Sequence, residues 1–252
     1  MSTDATTIHL IRHGKASPSS DNYDQLHERG ITQARMLGAH LGARGARFDA
    51  VYCGPLVRQR DTLRLMREAA GAAASAWPDA RTLDGLREAP VEMIMRQCMV
   101  ERLGSDATLD ALVARVQAAG SDRAALRVTM GAVFDHMVGL WRDGTLVRDG
   151  LESHVAFHER VLGAFDVILG SAGGGEEIAV VTSNGVIGCL VSHVEGAADA
   201  PRDARRTGET DRPELQFANS SITRLSVRAG SVAVTARNVH EHLDDEALVT
   251  FL

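Results

Sequence analysis

Three consecutive residues, Arg12-His13-Gly14, combine the chemical types needed to receive a phosphoryl group. An arginine guanidinium can hold phosphate oxygens bidentately. A neutral imidazole kept in one tautomer can attack phosphorus through a ring nitrogen, which is the chemistry open to His13. Gly14 allows close backbone approach. A second guanidinium, Arg58, lies within Gly54-Pro55-Leu56-Val57-Arg58-Gln59-Arg60-Asp61-Thr62. Two arginines leaving neighbouring strand ends could clamp one phosphate dianion. The tripeptide by itself is a weak signal, so its weight rests on the elements that carry it.

Residues 7–11 are rich in branched side chains and predict a short buried strand that ends just before His13. A polar loop from Gly14 to Gly30 follows, then a helix whose Ala34, Leu37, Gly38 and Leu41 share one face, ended by Gly42 and Gly45. Residues 48–53 predict a second strand and residues 56–70 a second helix. That alternation predicts a mostly parallel sheet, in which ligand sites gather at the C-terminal strand ends. From Glu88 to Gly150 the pattern turns wholly helical, with Leu109, Leu112, Val113 and Val116 on one face. Leu126, Met130, Val133, Met137 and Leu140 predict a second such face, and Met93, Met95 and Met99 read as flexible packing.

Alternation then resumes. Phe157, Val161, Ala164, Phe165 and Ile168 mark a helix, and residues 178–182 form an apolar run expected of a strand buried on both faces. The polar stretch from Gly196 to Pro213 reads as a loop, and residues 221–227 and 231–236 as a hairpin around Arg228-Ala229-Gly230. The expected fold class is α/β, a three-layer sandwich with a mostly parallel central sheet and helices on both faces. One domain over residues 1–252 is expected, with a helical cap insertion at about 89–150 roofing the site.

The 252 residues carry a net charge of −6, so no global basic field would draw in nucleic acid or an anionic membrane. A phosphate site must therefore be a local concentration of positive charge. The three cysteines are widely spaced and form no CxxC pair, which suggests neither a disulfide framework nor a thiolate zinc site. The start of the chain lacks a signal-peptide pattern, and no apolar run approaches the ~20 residues of a membrane span. A cytoplasmic location is expected, and the sequence leaves open whether the chain acts alone or as a homodimer.

With these motifs in place, the chain resembles the histidine phosphatase superfamily, branch 1, of phosphoglycerate-mutase-like fold. In that family a strand ends in RHG, and an S-P-L-x-R-A-x-x-T motif follows the next strand. Gly30-Ile31-Thr32-Gln33-Ala34 is similar to the family's G-x-x-Q-A helix start, and Leu86-Arg87-Glu88 to its L-x-E element. The resemblance covers about residues 7–90 and 150–243. It implies His13 as phosphoryl acceptor, Arg12, Arg58 and Gly14 at the phosphate, and Glu88 as general acid, with Asp84 and Glu92 as local competitors.

One position departs from the pattern. The family's second histidine, followed by glycine, stands just after a late buried strand, where this chain has Ser183-Asn184-Gly185. Asn184 can donate a hydrogen bond but carries no charge, so Ser183 and the amides around Gly185 are expected to compensate in part. His154, after Glu152-Ser153, is a candidate pocket residue, and His242-Leu243 matches the end of a family N-x-x-x-H-L element, with the histidine expected to be structural or at the rim. The resemblance implies a phosphomonoester hydrolase working through phosphohistidine on a small phosphorylated metabolite or a phosphoprotein, without cofactor or metal. The alternatives are a phosphate-ligand binding protein with impaired catalysis and a phosphoglycerate-type mutase.

Overall fold

A computed structural model describes residues 4–17, 24–196 and 216–251. Contacts divide the chain into two units, Met1–Glu88 with Arg160–Leu252, and Ala89–Glu159. The first unit is built on a six-stranded sheet of β1 (Thr6–Arg12), β2 (Ala50–Cys53), β3 (Arg81–Thr82), β4 (Glu177–Thr182), β5 (Ile222–Arg228) and β6 (Ser231–Val239). Their order is β3-β2-β4-β1-β5-β6, parallel from β3 to β1 and antiparallel at β5 and β6. β4 lies between β1 and β2, so the chain reverses its winding there. Arg12 pairs with Thr182 and Cys53 with Val181, which sets three strand ends side by side at one edge. β5 starts at that edge, with Ile222 opposite Ile11.

Side-chain alternation assigns the two faces of the sheet. Ile11, Val51, Cys53, Ala179, Val181 and Ile222 pack with Leu37, Leu41, Leu63 and Met66 from α1 (Glu28–Ala43) and α2 (Val57–Ala70). Each large apolar side chain buried this way contributes roughly 1.5–3 kcal/mol. Tyr52 points the other way and its hydroxyl meets Ser171 Oγ of α7 (His154–Ser171) at 2.5 Å. α8 (Asn184–Val194) leaves the end of β4. The fold is thus an α/β sandwich with a central mixed sheet and helices on both faces.

The β5–β6 turn places both Ala229 (φ 49°) and Gly230 (φ 79°) in the left-handed region, the geometry that matches a tight hairpin to strand twist. β3, two residues at the sheet edge, is too short to leave a periodic pattern. The stretch from Gly196 to Pro213 lies, from residue 197 onward, outside the described residues, as do residues 18–23 of the first loop.

The second unit contains α3 (Val91–Met93), a π-helical stretch (Ile94–Cys98), α4 (Met99–Arg102), α5 (Ala107–Ala118) and α6 (Arg123–Arg142). Its buried face on α6 is Thr129, Val133, Met137, Val138 and Trp141. Met130, expected on that face, is instead 49% exposed. The apolar stripe of α6 is broad enough to admit two registers, and the larger Trp141 decides between them. Thr129 can take a buried place because its hydroxyl donates to the Ala125 carbonyl. Near α3 the fully buried residues are Ile94 and Cys98, while Met93, Met95 and Met99 are half-buried.

Candidate active site

Arg12 is the last residue of β1, and His13 follows it with its backbone N–H donating to Thr182 at the end of β4 (2.9 Å). His13 is 4% exposed. Its Nδ1 lies 2.7 Å from the Gly14 carbonyl, which can only accept, so Nδ1 carries the proton. Nε2 therefore holds the lone pair, and Arg58 Nε donates to it at 3.2 Å. Burial, then the charges of Arg58 and Arg12, hold the imidazole pKa well below its usual value. The ring is thus neutral, in one tautomer, and braced by a guanidinium.

Arg58 is positioned by the start of α2. Its Nη1 donates to Asp24 Oδ1 (2.9 Å), and the other oxygen of that carboxylate accepts from the Val57 backbone N–H (2.9 Å). Asp24 so serves an unpaired first-turn amide and the guanidinium together. One turn further on, Thr62 Oγ1 donates to the Arg58 carbonyl (2.7 Å) and accepts from the Gly14 backbone N–H (3.0 Å). A single helix end therefore aligns the arginine with Gly14, the residue whose carbonyl fixes the His13 tautomer.

Glycine is required where the His13 loop meets α1. A Cβ on Gly14 would stand 2.4 Å from the Gly30 carbonyl oxygen, and one on Gly30 would stand 2.2 Å from that of Lys15. Gln33, one turn along α1, accepts from the Lys15 backbone N–H at 2.8 Å. On the far side, Asn219 Nδ2 donates to the His13 carbonyl (3.2 Å), and Ser220 N–H, in left-handed backbone at φ 60°, donates to that of Arg12 (3.1 Å). Arg12 Nη1 donates to the carbonyls of Phe217 and of Phe251, the latter at 2.7 Å.

The end of β4 supplies the other wall. Ser183, fully buried, precedes α8, and its hydroxyl accepts from Gln59 Nε2 at 2.8 Å instead of capping the helix. Asn184 Oδ1 accepts from the Phe217 N–H at 3.1 Å, which leaves its amide nitrogen as the donor end. The Gly185 N–H donates to Glu88 Oε1 at 3.0 Å, placing that carboxylate at the α8 N-terminus. Asp84 is exposed on a turn (Asp84–Leu86), and Arg160 Nη1 binds the carbonyls of Gly85 and Arg87, each at 2.9 Å. Glu92 belongs to the other unit, where it pairs with Arg96 at 3.5 Å. Of the three acidic candidates, only Glu88 bonds to the α8 start.

His154 also belongs to the second unit. Its ring meets Trp141 edge-on at 4.9 Å and His158 at 4.6 Å. Asp24, Thr62, Gln59 and Asn219 complete the site although residue type and spacing alone do not single them out. Gln59 and Thr62 sit within the quoted stretch around Arg58, so a signal was present. Asp24 and Asn219 act across long chain separations and carry no local pattern.

No helix among the described residues is long and apolar enough to cross a membrane. A family model, the histidine phosphatase superfamily (branch 1), matches residues 8–96 and 117–240. A 2,3-bisphosphoglycerate-dependent phosphoglycerate mutase from Rhizobium etli (strain CIAT 652) is 34% identical over 83 residues, covering 31% of this chain and only 37% of that protein. A solved phosphoglycerate mutase from Bacillus anthracis superposes with a TM-score of 0.62 at 17% identity, covering 96% of each chain. An α-ribazole phosphatase from Shigella flexneri gives 0.57 at 17% identity, covering 93% of this chain and 96% of its own. Phosphoserine phosphatase from Entamoeba histolytica, solved with 3-phosphoglyceric acid, gives 0.56 at 17%, covering 94% and 99%. Structural likeness at such identities speaks for the fold, and the family match over most of the length speaks for descent: this chain belongs to branch 1 of the histidine phosphatase superfamily.

Proposed function

We propose that the chain is a phosphomonoester hydrolase that works through a phosphohistidine on His13. The observation that carries this reading is the ring geometry: Nδ1 is committed to the Gly14 carbonyl, so Nε2 is the nitrogen with a lone pair. In the first step Arg58 Nε turns from Nε2 to a phosphoryl oxygen, the freed Nε2 lone pair bonds to phosphorus, and the ester P–O bond breaks. The leaving oxygen takes the proton of Glu88, and Arg12 and Arg58 balance charge on the phosphoryl oxygens. Water then attacks phosphorus, Glu88 removes its proton, and the N–P bond breaks to restore neutral His13 and release phosphate. The substrate class is a small phosphorylated metabolite or a phosphoprotein.

In this reading Asn184 occupies the place of the family's second histidine. Its amide supplies one neutral donor where a cation would stand, a change that costs on the order of 10²–10³-fold in rate by analogy with lost oxyanion donors. That same residue favours a second reading, a protein that binds phosphorylated ligands without turning them over.

A p-nitrophenyl phosphate assay with EDTA, followed by acid-labile phosphohistidine trapping, separates the two. Turnover with label on wild type, and loss of at least about 10³-fold in His13→Ala, is the expected result. Residual activity of a well-folded His13→Ala would sink the nucleophile. Phosphate binding with neither label nor turnover would establish the second reading.

A further inference from the structure

The segment 248–251 lies against the loop that carries His13. Gln33 Nε2 donates to the Leu248 carbonyl (2.6 Å) and to Thr250 Oγ1 (2.8 Å), while its Oε1 accepts from the Lys15 amide (2.8 Å). Thr250 Oγ1 donates to Asn219 Oδ1 at 2.9 Å, and the Thr250 carbonyl accepts from the Asn219 N–H at 2.8 Å. Asn219 in turn holds the His13 carbonyl. The Phe251 carbonyl accepts a hydrogen bond from Arg12 Nη1. One short segment thus meets the Arg12 guanidinium and, through Asn219 and Gln33, the His13 carbonyl and the Lys15 amide of the loop that follows.

We propose that this segment is a strap that positions the phosphoryl-acceptor site, with Thr250 as its central positioning residue. The claim rests on His13 being the acceptor. The Thr250 hydroxyl is the joint: it accepts from Gln33 and donates to Asn219, so both amides keep fixed orientations. With their oxygens and nitrogens so assigned, Gln33 fixes Lys15 and Asn219 fixes the His13 peptide. Removing the hydroxyl takes one hydrogen bond from each amide and loosens the Asn219 side chain most, because Gln33 keeps its bonds to Leu248 and Lys15, while the apolar volume stays in place. Small displacements of reacting groups carry large rate penalties, up to about 10²-fold per ångström.

The test uses the full chain carrying Thr250→Val or Thr250→Ser. Kinetics on p-nitrophenyl phosphate are read well below each variant's melting temperature. The strap predicts that Thr250→Val lowers kcat about tenfold or more with KM nearly unchanged, and that Thr250→Ser restores kcat to within about threefold. An unchanged kcat, or a loss that serine fails to restore, overturns it, as does a variant that melts earlier yet turns over normally when folded. If wild type itself shows no turnover, the hydrolase reading fails, and the strap is then judged by the NMR resonances of the His13 ring. Thr250→Val must shift them and Thr250→Ser must leave them in place, and resonances unmoved by valine overturn the strap.

Discussion

Arg58 has two duties that one planar fork can perform together, Nε to the His13 lone pair and Nη1 to Asp24. A lysine ammonium is a point charge on a flexible stem and cannot span both partners in fixed geometry. Arg58→Lys is therefore expected to lower kcat/KM by about 10²-fold despite unchanged charge, read on p-nitrophenyl phosphate with circular dichroism confirming the fold. A drop of less than about threefold would show that charge alone is what Arg58 supplies. Arg12, His13 and Arg58 were readable from types and spacing because each sits at a strand end or helix start that leaves a local pattern. Asp24 was not readable. It acts 34 residues away, through a helix N-terminus and a side chain that only the folded backbone brings to it.

Elements were legible where the hydrophobic period matched burial without ambiguity. On α7 the predicted Phe157, Val161, Ala164, Phe165 and Ile168 are all buried. On α6 the stripe was broader than the buried face, and Met130 fell on the wrong side of it. The meeting of α1 with the His13 loop gives a sharper test of what an element needs from its residues. A Cβ at Gly30 would meet the Lys15 backbone, which has no side-chain end to swing away. Gly30→Ala is expected to destabilise by roughly 1–3 kcal/mol, in line with overpacked sites, and to impair any His13 chemistry. Gly163, inside α7, has nothing within 4 Å of its Cβ direction. Gly163→Ala is expected to stabilise by about 0.5–1 kcal/mol. Urea unfolding of the pair decides the matter: equal effects at both positions would show that helix propensity, not backbone contact, governs Gly30.

At the scale of the whole molecule, an acidic chain biases several histidines toward the neutral form, with His13 and His242 buried and His9 and His40 half-buried. Burial is the leading cause of the lowered pKa of His13, His242, His9 and His40 alike. His242, 8% exposed, is pushed down to about 4 by burial, with His40 and His240 adding unfavourable charge and a Ser220 backbone hydrogen bond opposing them. Between its ordinary 6.5 and about 4, the unfolded chain binds a proton there that the folded chain refuses. Stability contributed by neutral His242 is complete above pH 6.5 and is lost as pH falls through this window, by at most about 3 kcal/mol. Asp106, which caps α5 and meets His136 Nε2 at 2.9 Å, behaves differently. Its carboxyl is held near 2, chiefly by the Leu109 amide, so its contribution persists down to about pH 3.8 and fades only below it. A decline between pH 6.5 and 4 therefore belongs to the buried histidines. Urea midpoints at pH 7.5, 5.5 and 4.5 are expected to fall monotonically, and His242→Phe to shallow that slope. A midpoint that stays level over this range would mean that the imidazoles take up protons in the folded chain as readily as in the unfolded one.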